Sequence, residues 1–260
     1  MHLQTIIYIS VLLLVTPLSG IASPRVNITP GDGLTKEVSI DNSQDGELKN
    51  AFGKEWKKAA QRIEEHRPQW QEIFESLDAD VLECEAIIFP EQLRYSRLKN
   101  GMEEGATIAL YVKGGTQAAN FSVGYFQMKP SFVEEVEAAW MKSPLRHKYK
   151  LYFDVRDSQS SRQKRLKRLL DVQWQCVYLG LFYRLVRERI PELEELSGRE
   201  RVSIMATAYN RDFDASLEQL RLMREDYMFH TDIFPSENTE YYSYGEISAQ
   251  WYSEIIKLDY

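Results

Sequence analysis

The chain has two cysteines and four histidines in 260 residues, and what it lacks narrows its chemistry. His66, His147 and His230 are scattered and show none of the close Cys or His spacing of a metal site. No metal is therefore expected. There is no glycine-rich loop of the kind that cradles phosphates and no serine on a nucleophile elbow, so no bound cofactor is expected either. Positive charge is also in short supply: 32 Lys and Arg stand against 39 Asp and Glu, a formal net charge of −7. An acidic surface repels phosphates, which excludes a nucleic-acid binder. The absence of self-similar periods, heptads and low-complexity tracts excludes repeat and fibrous architectures.

What remains is an ordinary globular balance, 43% hydrophobic and 27% charged, with enough chain to bury one sizeable core. Residues 1–23 read as an export signal. Ile6 to Val15 is an apolar run too short to span a bilayer, and small residues suited to cleavage follow it: Ser19, Gly20, Ala22 and Ser23. The flank carries no Lys or Arg, which leaves an uncleaved anchor as the alternative. The protein is thus expected to be exported, periplasmic or secreted. There Cys84 and Cys176 form either one disulfide or two buried thiols. Residues 24–50, rich in Gly, Asp, Asn, Ser and Thr, are expected to be a flexible lead-in to a single domain over 51–260.

Apolar residues at helical spacing predict helices over Ala51 to Leu77, split in two by Pro68, and over Phe132 to Met141 and Leu166 to Arg189. Arg199 to Asn210, Ala215 to Tyr227 and Tyr244 to Leu258 read the same way. Ile108 to Val112 and Tyr149 to Val155 are the best strand candidates. The fold class is mainly α.

The stretch "AIIFPEQLRYS", Ala86 to Ser96, belongs to a helix that is apolar nearly all round and therefore buried. On a helical wheel, Leu82, Ala86, Phe89 and Leu93 form one face, and Cys84, Ile87, Ile88 and Tyr95 another. Glu91 projects between Ile87 and Tyr95, whereas Glu83 and Glu85 occupy the narrow sectors between the faces. Pro90 is expected to kink or end the helix, leaving Glu91 at its carboxyl-terminal edge. Apolar surroundings would hold a proton on Glu91 near neutral pH, as a general acid requires. The alternative is a structural glutamate paired with Arg94 or another arginine.

Two further stretches bear on that choice. "NFSVGYFQMKPSF", Asn120 to Phe132, joins Gly124, Gln127 and Pro130 at a helix start, and "ATAYNRDFD", Ala206 to Asp214, ends an apolar helix in Tyr209 and Asn210. Together with "AIIFPE" they resemble, in order, the three sequence blocks of the lysozyme-like lytic transglycosylases, which also occur in goose-type lysozymes. The resemblance covers residues 78–215, leaving 216–260 as a helical extension. It implies a lysozyme-like fold with additional helices and room for a small two- or three-stranded sheet or flap. It also implies a groove for peptidoglycan strands, with Glu91 as the acid. Gln127, Tyr209 and Asn210 would line the groove, and Gly124 would give backbone clearance for sugar.

Three departures stand out. Gln92 follows Glu91 where the family has Ser, and 32 residues separate Glu91 from Gly124, so Arg94 to Ala119 is expected to hold an inserted flap. Arg211, Asp212 and Phe213 replace a glycine expected after the Tyr-Asn pair. Glu85 is a rival acid, since a proline follows it by five residues, but it is expected on a polar edge, solvated or ion-paired. Asp212 and Asp214 are candidates for a second carboxylate, with surface or capping roles as the ordinary reading.

The resemblance implies a muramidase, with a lytic transglycosylase preferred to a hydrolase. The alternatives are a catalytically silent glycan-binding protein and a structural partner of an envelope or secretion assembly. The basic stretch Ser161 to Leu170 is expected to be a solvated helix face, and the tyrosine-rich tail Glu240 to Ile255 a helix packed back on the domain.

Overall fold

A computed structural model describes residues 47–98, 104–232 and 235–258, and these belong to one compact unit. The export segment and most of the lead-in lie outside the described residues. The chain begins with α1 (Glu47–Phe52), so the end of the expected lead-in is helical. Then come α2 (Lys54–Ser76), α3 (Val81–Leu98), α4 (Glu104–Gly114), α5 (Pro130–Lys142), α6 (Leu145–Tyr149), α7 (Gln159–Leu169) and α8 (Val172–Arg189). A 3-10 turn at Pro191–Glu195 leads to α9 (Gly198–Asn210), α10 (Leu217–Arg224) and α11 (Tyr244–Leu258). The fold is mainly α, and among the described residues the only β pairings are two isolated bridges, Val123 with Met128 and Phe229 with Tyr242.

Helix α3 sits at the centre, packed by α2, α8, α9 and α11. Its apolar residues from Cys84 to Phe89 are fully buried. Phe89 stacks on Trp251 of α11 at 4.3 Å between ring centres and meets Trp56 of α2 edge-on at 4.6 Å. The tyrosine-rich tail therefore packs back on the domain as expected. Such aromatic pairs add about 0.5–1.5 kcal/mol each to the stabilisation from burial alone.

Neither proline interrupts its helix. Pro68 lies inside α2 and Pro90 inside α3, so the two expected breaks are corrected. Each proline costs the helix one amide donor. At Pro68 the side chain is exposed and water can serve the carbonyl left over, whereas Pro90 is held by the packing of α3 on every side. Glu91 consequently occupies the body of a helix, not its end.

Other boundaries also differ from expectation. Ile108 to Val112 is helical, inside α4, where buried Tyr111 anchors the helix and Arg162 donates to the carbonyls of Val112 and Lys113 at 3.0 and 3.1 Å. The expected flap is thus helical over this part, and residues 99–103 lie outside the described set. Tyr149 to Val155 forms no strand. It ends α6 and then runs along α5, with Trp140 donating to the Leu151 carbonyl at 2.9 Å. The helix expected from Leu166 to Arg189 is two, because Asp171 accepts from the Gln173 amide at 2.9 Å and caps a new start.

Cys84 and Cys176 are both buried free thiols, so the disulfide alternative does not hold. The basic stretch is not a solvated face either: Arg162 and Arg165 are buried, and Arg165 and Arg168 converge on the fully buried Glu137 of α5. Tyr178 donates to the same carboxylate at 2.6 Å. Removing one partner from a buried charge costs about 3–5 kcal/mol. Arg165→Met should therefore lower unfolding free energy by about 3 kcal/mol in urea titrations, while Lys164→Met, at an exposed site, should change it by under about 0.5 kcal/mol.

Candidate active site

The turn between Val123 and Met128 is the pivot of the candidate site. Val123 and Met128 exchange backbone hydrogen bonds of 2.9 and 3.2 Å, with Gly124 and Gln127 both in the left-handed region at φ 70° and 49°. Three helices hold the turn by side-chain contacts to its backbone. Gln92 of α3 donates to the Tyr125 carbonyl at 2.6 Å, and Tyr209 of α9 donates to the Phe126 carbonyl at 2.6 Å. Gln175 of α8 accepts from the Phe126 amide at 3.0 Å and donates to Leu169 at 2.6 Å. Within the turn, Gln127 donates to the Gly124 carbonyl at 2.7 Å.

Gly124 owes its identity to this packing. A Cβ there would lie 1.8 Å from Gln175 Nε2, closer than atoms can approach. Gly124 does not line the cleft, so the expected clearance for sugar is corrected to clearance for Gln175.

Beside the turn opens a cleft of about 260 Å³. Glu91, Gln127, Tyr209 and Asn210 all line it, so four of the five site residues expected from sequence converge on one depression. Arg94, Lys129, Glu135 and Asp212 share its walls. Asp214 is not among the lining residues and pairs instead with Arg189 at 3.1 Å. The rival acid Glu85 is fully buried and held by Arg67 at 2.7 Å, which places it in the core rather than on a polar edge.

Glu91 is 6% exposed, and its Oε2 has no hydrogen-bond partner. Burial pushes its carboxyl up to about 7, against the opposing pull of Arg94, Lys129 and the Tyr244 hydroxyl. Tyr244 of α11 comes near but completes no hydrogen bond, since its own buried hydroxyl is also without a partner. Among the described residues no ion pair holds Glu91, and the alternative pairing with Arg94 is not formed. Tyr209 and Tyr244 are held neutral, both raised well above the usual tyrosine value by burial and by the negative charge that Glu91 would carry.

Glu135, on the far wall, is raised by partial desolvation and by the carboxylates of Asp214, Asp212 and Glu134. Among the described residues, no group of three or more His, Cys, Asp or Glu side chains is arranged to hold a metal ion. The arrangement suits proton transfer: a neutral acid and neutral hydroxyls beside cations that can meet negative charge on a ligand.

Gln92, Gln175 and Tyr244 are the residues that sequence reasoning missed. Gln92 counted as a departure from a motif, yet a fully buried amide beside the acid is itself a sign that some backbone group needs it. Tyr244 carried no signal, because only the return of α11 brings it to α3. Comparison with protein-family models, curated proteins and solved structures finds no match for the chain.

Two outcomes check this geometry. Gln175→Leu strands the buried Phe126 amide and should cost about 1–3 kcal/mol in urea unfolding. The second concerns Glu91, whose folded pKa lies above its ordinary value of 4.5. The folded state then binds more protons between pH 4.5 and 7, so stability falls as pH rises through that window. From pH 4 to pH 8 the wild type should lose about 3 kcal/mol more than Glu91→Gln, measured by denaturant titration at each pH.

Proposed function

We propose that this chain is a peptidoglycan-cleaving muramidase of the lytic transglycosylase type, with a lysozyme-like fold and Glu91 as its general acid and base. The observation that carries the reading is a buried carboxyl whose Oε2 has no partner, lining a cleft with Gln127, Tyr209 and Asn210, where burial pushes its pKa up to about 7. The resemblance of the three sequence blocks supports the same assignment. Export to the periplasm or beyond would bring the protein to its substrate, the glycan strands of the wall.

In this reading the protonated Glu91 donates its proton to the glycosidic oxygen between N-acetylmuramic acid and N-acetylglucosamine. The C1–O bond breaks as positive charge grows on the muramyl ring. The resulting carboxylate then takes the proton of that sugar's own 6-hydroxyl as the hydroxyl oxygen attacks C1. A 1,6-anhydro end forms, no water is consumed, and Glu91 is again protonated. One carboxyl at two stages is sufficient. Gln127 and Asn210 supply amide groups to orient the sugars, while the hydroxyl of Tyr209 is engaged in holding the turn.

A hydrolytic variant has one observation in its favour: Asp212 and Glu135 also line the cleft, where a second carboxylate could activate water. Mass spectrometry of digested peptidoglycan separates the two, because an anhydro end requires the internal 6-hydroxyl and a reducing end requires water. The expected product is anhydromuropeptide. Glu91→Gln should lower its release by about 10²–10⁴-fold while the circular dichroism spectrum stays unchanged. With a pKa of about 7, kcat/KM should fall about tenfold per unit at higher pH, as the acid loses its proton. A folded protein that releases neither product from peptidoglycan would refute the assignment.

A further inference from the structure

Charge is distributed unevenly along the chain. Residues 145–170 hold nine Lys and Arg against two Asp, a local charge of +7 in a protein whose net charge is −7. Three of the nine are spent inside: Arg162 binds Asp157 and the end of α4, and Arg165 and Arg168 hold Glu137. Lys148 and Arg156 pair with Asp78 and Asp154 at the surface, whereas Lys150, Lys164 and Lys167 are exposed and make no ion pair among the described residues. The same stretch places apolar side chains in water, since Tyr152, Val155 and Leu170 are 55%, 47% and 52% exposed. They border the lysines because the segment before α7 is laid along that helix: Ser161 donates to Asp154 at 3.0 Å, and the Arg168 guanidinium covers the Phe153 ring at 5.2 Å. Ser161, Lys164 and Arg168 stand at i, i+3 and i+7 on one ridge of α7, so Lys164 lies beside the segment. Arg168 also covers Trp174 of α8 at 5.5 Å, which brings Leu170, between the two in the chain, to the same edge.

We propose that this face, the segment 150–156 with the outer side of α7, docks on an anionic phospholipid bilayer. Tyr152, Val155 and Leu170 enter the headgroup layer, and Lys150, Lys164 and Lys167 meet the phosphates. The composition of the face selects this occupant. Lysine is depleted at the centres of protein–protein interfaces. A bilayer surface takes the opposite mixture: lysine stems lie along the apolar boundary with their ammonium groups among phosphates, and tyrosine sits at headgroup level. The rest of the chain is strongly acidic, so an anionic surface repels it and turns this face toward the lipid. The contact belongs to the folded domain, is separate from the amino-terminal apolar run, and does not depend on the muramidase reading.

The test places a polarity-sensitive fluorophore on the full-length protein through Val155→Cys. Cys84 and Cys176 are buried, so a thiol reagent added to the folded protein reaches position 155 selectively. Vesicles of equimolar phosphatidylglycerol and phosphatidylcholine should shift the emission to the blue, saturably and with an affinity at least about tenfold higher than vesicles of phosphatidylcholine alone. The same label at Leu222→Cys, on α10, which packs on α9 and α11, should keep its emission in water. Lys164→Glu with Lys167→Glu should abolish the shift at position 155; both lysines are exposed, so the fold is retained. An unchanged emission at position 155 on the anionic vesicles, an equal shift on the neutral ones, or a shift that survives the double substitution overturns the proposal. Recruitment to both kinds of vesicle with the label still in water, as the amino-terminal apolar run alone would give, overturns it as well.

Discussion

A helix buried on every side can carry polar side chains only if each finds a partner, and α3 carries four of them. Glu83 takes Arg201 at 2.8 Å and Tyr183 at 2.8 Å, Glu85 takes Arg67, and Gln92 takes the Tyr125 carbonyl. Glu91 Oε2 has none. Leaving a buried polar group unpaired costs about 1–3 kcal/mol, and more if it is charged. Three buried polar neighbours on the same helix are paired, whereas Glu91 Oε2 and the Nε of Arg94, which line the cleft together, are not. Both face the cleft, which is where an unsatisfied carboxyl has a use.

The turn at Gly124 depends on the same helix. Gln92 is the next residue after Glu91, so the step that directs one side chain toward the cleft directs the other toward the Tyr125 carbonyl. Gln175 and Tyr209 complete the hold from α8 and α9, and the cleft wall is thereby fixed to three helices by hydrogen bonds to its backbone. Helix α11 adds Tyr244 at the remaining side. Residues beyond 215 therefore reach the neighbourhood of Glu91, although the cleft lining itself ends at Phe213.

Much of this was legible in the sequence. The all-round apolar pattern marks α3 as buried, and the three blocks single out Glu91, Gln127, Tyr209 and Asn210, which line one cleft. The failures share a cause: local rules were applied where tertiary packing decides. Pro68 and Pro90 were given their usual helix-breaking force, yet packing along α2 and α3 outweighs one lost amide bond. The arginines of α7 were assigned to solvent because periodicity cannot show that Glu137 lies buried opposite them. Ile108 to Val112 is an apolar run too short for its period to separate strand from helix. Gly124 was matched to a motif and assigned to sugar, while its actual neighbour, Gln175, lies 51 positions away in sequence and left no trace there.

The protonation of Glu91 turns on a competition between opposing effects. Arg94 and Lys129 both favour the ionised carboxylate, and either could drive a pKa down if it came into contact. Neither does: among the described residues no cation makes an ion pair with Glu91, and solvent weakens attraction between charges that are not in contact. Desolvation acts on the carboxyl itself and is not screened in the same way, so it prevails. A ligand filling the cleft would exclude solvent, strengthening both the burial and the pull of the two cations. The balance then depends on what the ligand offers Arg94 and Lys129. A ligand carrying its own carboxylate would engage them and leave Glu91 protonated, whereas a neutral one would leave both cations to favour its ionisation.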